Sequence, residues 1–235
     1  WRAEADRLMA RAALLAGVLL TGPLLAFVGQ TYQTGADTYE LFLGWAMLAL
    51  PWVLAANWRP VWCLWLLLVN VAIALYFGEA WRPMIGSFFA PPSAAVHLAA
   101  NAAFLLVFEA WAGARVGGSG RSVERFALAL SLAAACFLYL IFVFDGRERA
   151  WWQPLVALMT FAAAWFAYRR WRIDVAALAL WSFGGIIAIV ATVAKIMSAG
   201  HLETAAFLLT GITTIGLSAL AAGWLRKVHR EAEAA

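Results

Sequence analysis

Gln30, Tyr32, Gln33, Asp37, Tyr39 and Glu40 form the densest run of polar side chains lying between two apolar segments of this chain. Amides, phenols and carboxylates in one short loop supply both donors and acceptors, the equipment for holding a small solute or a lipid headgroup at a membrane surface. The same residues have a simpler use. Asp37 followed three positions later by Glu40, just ahead of Leu41, Phe42 and Leu43, is the pattern of a capping box, in which both residues satisfy orphan N–H groups at a helix start. The sequence leaves both readings open and names no ligand.

Four further polar residues lie inside apolar runs. His97 and Asn101, at i and i+4, share one helical face with Phe104 and Phe108. Because a polar group in lipid must find a partner, that face is expected to look inward, either to bond a neighbouring helix or to handle a ligand or proton. Asn70 carries the same ambiguity. Lys195, about one turn from the outer end of its run, can snorkel to water. It can also pair with a carboxylate among Asp37, Glu40, Glu79 and Glu203, tying its helix to the opening loop. The candidate ligand-binding set is therefore Gln30, Tyr32, Gln33, Asp37, Glu40, His97, Asn101 and Lys195, with Asp37 at its expected centre. Glu109 is expected to pair with Arg115 or another arginine on the same side.

No catalytic set emerges. There is no phosphate-binding glycine loop with a lysine, no nucleophile elbow, no HExxH and no Cys-x-x-Cys, and the chain has only 3 histidines. No catalytic residue, metal or cofactor is expected. An enzyme acting on lipid would need an acid, a base and a nucleophile on one side of the membrane, and these residues do not supply them.

The elements that must carry these groups follow from composition. With 65% hydrophobic and 13% charged residues and a mean hydropathy of +0.81, a soluble chain of 235 residues would have too little polar material to cover its surface. The class is an all-α, polytopic transmembrane helix bundle. Eight apolar runs are long enough to cross roughly 30 Å of hydrocarbon: Arg11 to Gly29, Thr38 to Ala56, Val61 to Gly78, Ala94 to Ala112, Phe126 to Phe144, Trp152 to Tyr168, Val175 to Ser198 and Leu202 to Leu225. Helices satisfy their own backbone groups in lipid, whereas an open sheet would not, and the runs lack the alternating polarity of barrel strands.

Orientation follows from the basic residues. With the N-terminus in the cytoplasm, that side collects Arg2, Arg7, Arg11, Arg59, Arg115, Arg121, Arg125, Arg169, Arg170, Arg172, Arg226, Lys227 and Arg230 of the 17 basic residues. The other side keeps Arg82, Arg147, Arg149 and Lys195. This asymmetry predicts eight spans with both termini in the cytoplasm, and it accounts for the net charge of +4 without a nucleic-acid partner. Trp58, Trp62, Trp111, Trp171 and Trp224 near inner ends, and Trp81, Trp151 and Trp152 near outer ones, read as interfacial anchors.

Residues 1–235 read as a single integral membrane domain. Trp58-Arg59 recurs as Trp171-Arg172, and Trp111 as Trp224, at one common offset, which suggests parallel halves at about 1–116 and 121–235 joined by Val116-Gly117-Gly118-Ser119-Gly120. Chance recurrence of Trp and Arg at helix ends explains the same pattern. Between the third and fourth spans, Trp81, Met84, Ile85, Phe88 and Phe89 make one apolar helical face, so a short interfacial helix is expected there, or a lid over the polar mouth. Thr214, Ser218 and Ala222, spaced at four-residue steps, and Gly184-Gly185 are close-packing surfaces for another span or a second protein. Cys63 and Cys136 fall at different depths, too far apart for a bridge.

The run Gly29-Gln30-Thr31-Tyr32-Gln33-Thr34-Gly35-Ala36-Asp37, followed by Tyr39-Glu40-Leu41-Phe42, Trp45 and Leu50-Pro51, resembles the signature of bacterial membrane proteins grouped as the domain of unknown function 2157 (DUF2157). The resemblance is sharpest over about Gly29 to Trp52. It implies a multi-pass protein of the bacterial inner membrane and a helical cytoplasmic segment ahead of the first span, of which Trp1 to Arg11 would be the remnant. It implies no activity. The expected function is binding or transport of a small solute or lipid headgroup through an outward-facing polar site. The alternative is a non-catalytic assembly subunit docking other membrane proteins or a second copy of itself. Transport predicts a water-accessible cavity toward the midplane; assembly predicts a tightly filled bundle.

Overall fold

The computed structural model describes residues 2–33, 35, 37–79, 91–117, 120–145, 150–198 and 203–233. Among them the chain forms eight helices: α1 (Arg2–Thr31), α2 (Thr38–Ala56), α3 (Arg59–Glu79), α4 (Pro91–Val107), α5 (Ser122–Phe144), α6 (Trp152–Phe166), α7 (Val175–Ser198) and α8 (Glu203–Glu233). α4 and α6 each run on through a π-helical turn, at Phe108–Ala112 and Ala167–Trp171. Among the described residues, seven helical stretches are long and apolar enough to cross a membrane. The stretch from Trp152 to Tyr168, expected as the sixth span, is not among them. Gln153 and Pro154 sit in its first turn and Arg169 and Arg170 follow its end, so the apolar run between them, Leu155 to Tyr168, falls short of the length that crosses a bilayer. The interfacial helix expected over Trp81 to Phe89 and the Gly118-Ser119 part of the expected joint lie outside the described residues.

The chain divides into two compact units, Trp1–His97 with Ala103–Ala127 and Leu98–Ala102 with Leu128–Ala235. The division in chain order falls inside α5 rather than at the glycine-rich run before it. The cause is local, since Glu124 in the first turn of α5 is bonded to Arg59 at the start of α3, which holds that turn in the first unit.

In the first unit α1 packs on α2 and α2 on α3, around Val18, Ala49, Val53, Ala56 and Val61. Lipid offers no hydrophobic drive between helices, so contact rests on close packing and on hydrogen bonds across them. Both are supplied by tryptophan. The Trp45 ring lies against Gly22, where an added Cβ would overlap it, and its Nε1–H donates to the Val18 carbonyl at 2.7 Å. Trp65 Nε1–H donates to the Ala46 carbonyl at 2.9 Å. Asn57 turns the chain from α2 to α3 in a left-handed conformation (φ 43°, ψ 48°). Its carbonyl accepts from Gly117 N–H at 3.0 Å, and its Nδ2–H donates to the Arg115 carbonyl at 3.2 Å, which binds this turn to the one after α4.

In the second unit the same device recurs, with Trp181 Nε1–H on α7 donating to the Phe161 carbonyl of α6 at 2.8 Å. Asp174 caps α7 through Oδ1, which accepts from Ala176 and Ala177 N–H at 3.1 Å each. Tyr139 of α5 meets Thr192 of α7 at 2.6 Å between hydroxyls, and the Thr192 hydroxyl also reaches the Ala188 carbonyl of its own helix. α8 packs on α7, yet the apolar window within Phe207–Glu233 has none of its residues buried.

Candidate functional site

The opening loop is built by two helix ends. α1 runs out at Thr31, and the chain reverses through Gln33 (φ 45°) and Gly35 (φ 66°), both left-handed. Asp37 and Glu40 then form the capping box that starts α2, with Asp37 N–H donating to Glu40 Oε2 at 3.2 Å. Tyr39 reaches the other oxygen of the same carboxylate, its hydroxyl lying 3.4 Å from Glu40 Oε1. The Tyr39 ring meets Tyr76 of α3 edge-on at 5.1 Å, which brings the end of the third helix to the loop. Gln30, Tyr32, Gln33, Asp37 and Glu40 are all exposed, Tyr32 at 75%. The capping box is therefore formed, and the Tyr32 phenol and the Gln30 and Gln33 amides beside it are exposed.

His97 takes the structural route. Its Nδ1–H donates to Asn70 Oδ1 at 2.9 Å, while Asn70 Nδ2–H donates to the Leu66 carbonyl at 2.8 Å, so α3 and α4 are joined through a polar relay. Phe104 and Phe108 continue the stripe as a stacked pair at 4.5 Å against Trp62 and Trp65. Asn101 is fully buried. Asn101 and Lys195 belong to the second unit, where the half-buried Lys195 ammonium lies over the Phe144 ring at 5.7 Å. The side chains of Glu79 and Glu203, offered as its partners, are outside the described ones.

Sequence reasoning missed two features. Arg59, 7% exposed, places Nη1 2.6 Å from Glu124 Oε2 and donates from Nη2 to the Gly113 carbonyl at 2.8 Å, while its buried Nε has no partner. The signal was available in principle, because an arginine at the first position of an apolar helix either snorkels or is paired inside. Glu109 does find an arginine, but it is Arg121; Arg115 instead stacks over Trp111 at 4.2 Å. The second feature is a cavity of about 380 Å³ lined by Trp165, Arg169, Arg170 and Trp224, none of which entered the candidate set. Among the described residues no three His, Cys, Asp or Glu side chains gather as a metal site.

Long apolar helices, capping at loop ends and internally bonded span polarity define the class: an α-helical membrane protein with several membrane-spanning helices. Residues 1–62 match the model of the family described as "Predicted membrane protein (DUF2157)", a region that holds the whole opening loop and α1 to the start of α3. Of the candidate residues, His97, Asn101 and Lys195 lie beyond that match. No curated protein and no solved structure matches the chain.

Proposed function

We propose that this is a bacterial inner-membrane protein of eight spans, with both termini in the cytoplasm, that binds a small solute or lipid headgroup at the outward-facing shelf of Gln30, Tyr32, Gln33, Asp37 and Glu40. The observation carrying this reading is the contrast between the loop and the spans. The loop side chains are exposed, whereas His97 and Asn70 are bonded to each other, Asn70 also to the Leu66 carbonyl, and Trp45 fills the groove beside Gly22. Passage through the first unit would call for polar groups left open along the spans, so retention at the surface is favoured over transport.

The orientation is tested by labelling single cysteines in a background without Cys63 and Cys136. Thr38→Cys should react with a membrane-impermeant reagent only from outside, and Ala114→Cys only from the cytoplasm. Reversed accessibility of either position overturns the orientation.

Binding is tested by native mass spectrometry of protein extracted in mild detergent. Wild type should carry a bound small species that Tyr32→Ala/Gln33→Ala loses. Asp37→Asn should change stability by only a few tenths of a kcal/mol, because asparagine caps as well as aspartate. Retention of the same species by the double variant would sink the proposal. A second reading, an assembly subunit, is favoured by Thr214, Ser218 and Ala222, all exposed on α8, where Gly211, Gly216 and Gly223 have open space beside them. In that case the same spectra should show a multiple of the chain mass or a second polypeptide.

A further inference from the structure

The cavity at the arginine-rich end of α6 belongs to the second unit, shares no residue with the opening loop and is independent of the reading given to that loop. Its lining is chemically one-sided. Trp165, Arg169, Arg170 and Trp224 carry side-chain donors and not one side-chain acceptor. Among the described residues the lining side chains offer N–H groups and positive charge, which suits a ligand presenting anionic oxygens. Two indoles beside two guanidiniums add the amphipathic surface found where a headgroup meets hydrocarbon.

Local structure holds these groups in place. The π turn at Ala167–Trp171 widens the helix by one residue, with Arg172 N–H closing on the Ala167 carbonyl at 2.9 Å, and this sets the direction of Arg169 and Arg170. Trp224 of α8 packs against Trp181 at 6.1 Å, and Trp181 is itself fixed by its bond to the Phe161 carbonyl. Arg169 is partly neutralised by Glu231 at 2.7 Å, whereas Arg170 is exposed and has no ion-pair partner among the described residues. One full and one shared positive charge therefore remain. At about 380 Å³ the space exceeds what one phosphate fills and takes a headgroup with its glycerol.

We propose that the Trp165, Arg169, Arg170 and Trp224 cavity binds the phosphate of an anionic phospholipid. The chemistry recognised is a phosphate oxyanion, which free inorganic phosphate shares; the aromatic walls and the position at a helix end near the bilayer interface favour the lipid source. Binding would anchor α6 to α8 through a lipid that both helices hold.

The test is the thermal stability of the full chain in a neutral detergent, titrated separately with dioleoylphosphatidylglycerol, dioleoylphosphatidylcholine and inorganic phosphate. Phosphatidylglycerol should raise the melting temperature of wild type saturably, and more than phosphatidylcholine does. In Arg169→Gln/Arg170→Gln its apparent affinity should fall on the order of 10-fold. Should the double variant not fold, Arg170→Gln alone, which breaks no ion pair, should still weaken the response. Equal responses of wild type and variant, or equal stabilisation by phosphatidylcholine, would overturn the proposal. Inorganic phosphate reproducing the whole effect would assign the site to free anion and overturn the lipid assignment.

Discussion

Glu124→Ala is expected to lower the unfolding free energy by about 3–5 kcal/mol, the cost of leaving a buried charge without its counter-ion. The partner left behind is Arg59, a guanidinium 7% exposed whose Nε already lacks an acceptor. Without the carboxylate, only the Gly113 carbonyl would compensate it. An exposed pair would behave differently, since such pairs contribute about 0–1 kcal/mol. Arg169 with Glu231, whose side chains are 27% and 41% exposed, is the internal comparison. The sign for the double change is opposite: Arg59→Met/Glu124→Leu should recover most of the loss, because replacing both members by apolar groups removes the desolvation penalty along with the attraction. Reversible unfolding in mixed micelles, followed by circular dichroism, gives all three values. A loss within 1 kcal/mol for Glu124→Ala, or a double variant as unstable as the sum of the singles, would show that the pair is not buried as described. The pair joins the start of α3 to the first turn of α5, so the loss should be accompanied by loosening of the arginine-rich end of the first unit.

Gly22→Ala should be the second costly change, at about 1–3 kcal/mol, through overpacking. In most helices this substitution helps, by roughly 0.5–1 kcal/mol, because alanine loses less backbone entropy. At Gly22 the new methyl would overlap the Trp45 ring, and the ring cannot swing away without giving up its hydrogen bond to the Val18 carbonyl. Separating α1 from α2 would break the contact instead. Gly211→Ala on α8 is the control, since a Cβ there meets nothing within 4 Å, and it should be neutral or mildly stabilising. Parallel denaturation of the two variants decides the matter: an equal response at both sites would mean that the Trp45 ring does not close on Gly22.

Much of this architecture was legible in the residues themselves. Span-length apolar runs dictate helices because lipid leaves backbone groups no other partner, and the observed α2, from Thr38 to Ala56, has the expected bounds. The Asp37 and Glu40 capping box was readable for the same kind of reason, since its partners lie three residues apart and need no tertiary context. His97 finding a neighbouring helix followed from the rule that an imidazole in lipid must be satisfied, but the rule does not choose Asn70 from among the other polar groups. Charge near Trp152 to Trp171 was counted as flanking material, while the helix absorbs Arg169 and Arg170 into a π turn, an event set by packing rather than by composition. Nothing along the chain assigns a partner to Trp45, Trp65 or Trp181; each is a donor aimed at one carbonyl of the adjacent helix, and which carbonyl depends on rotation and crossing of the helices. The pairing of Arg59 with Glu124 and the half-open cavity lined by Trp165, Arg169, Arg170 and Trp224 join residues far apart in the chain. Periodicity and charge counts fix what each segment is, because they act along the chain; which distant side chains share a buried space is decided only when the helices pack.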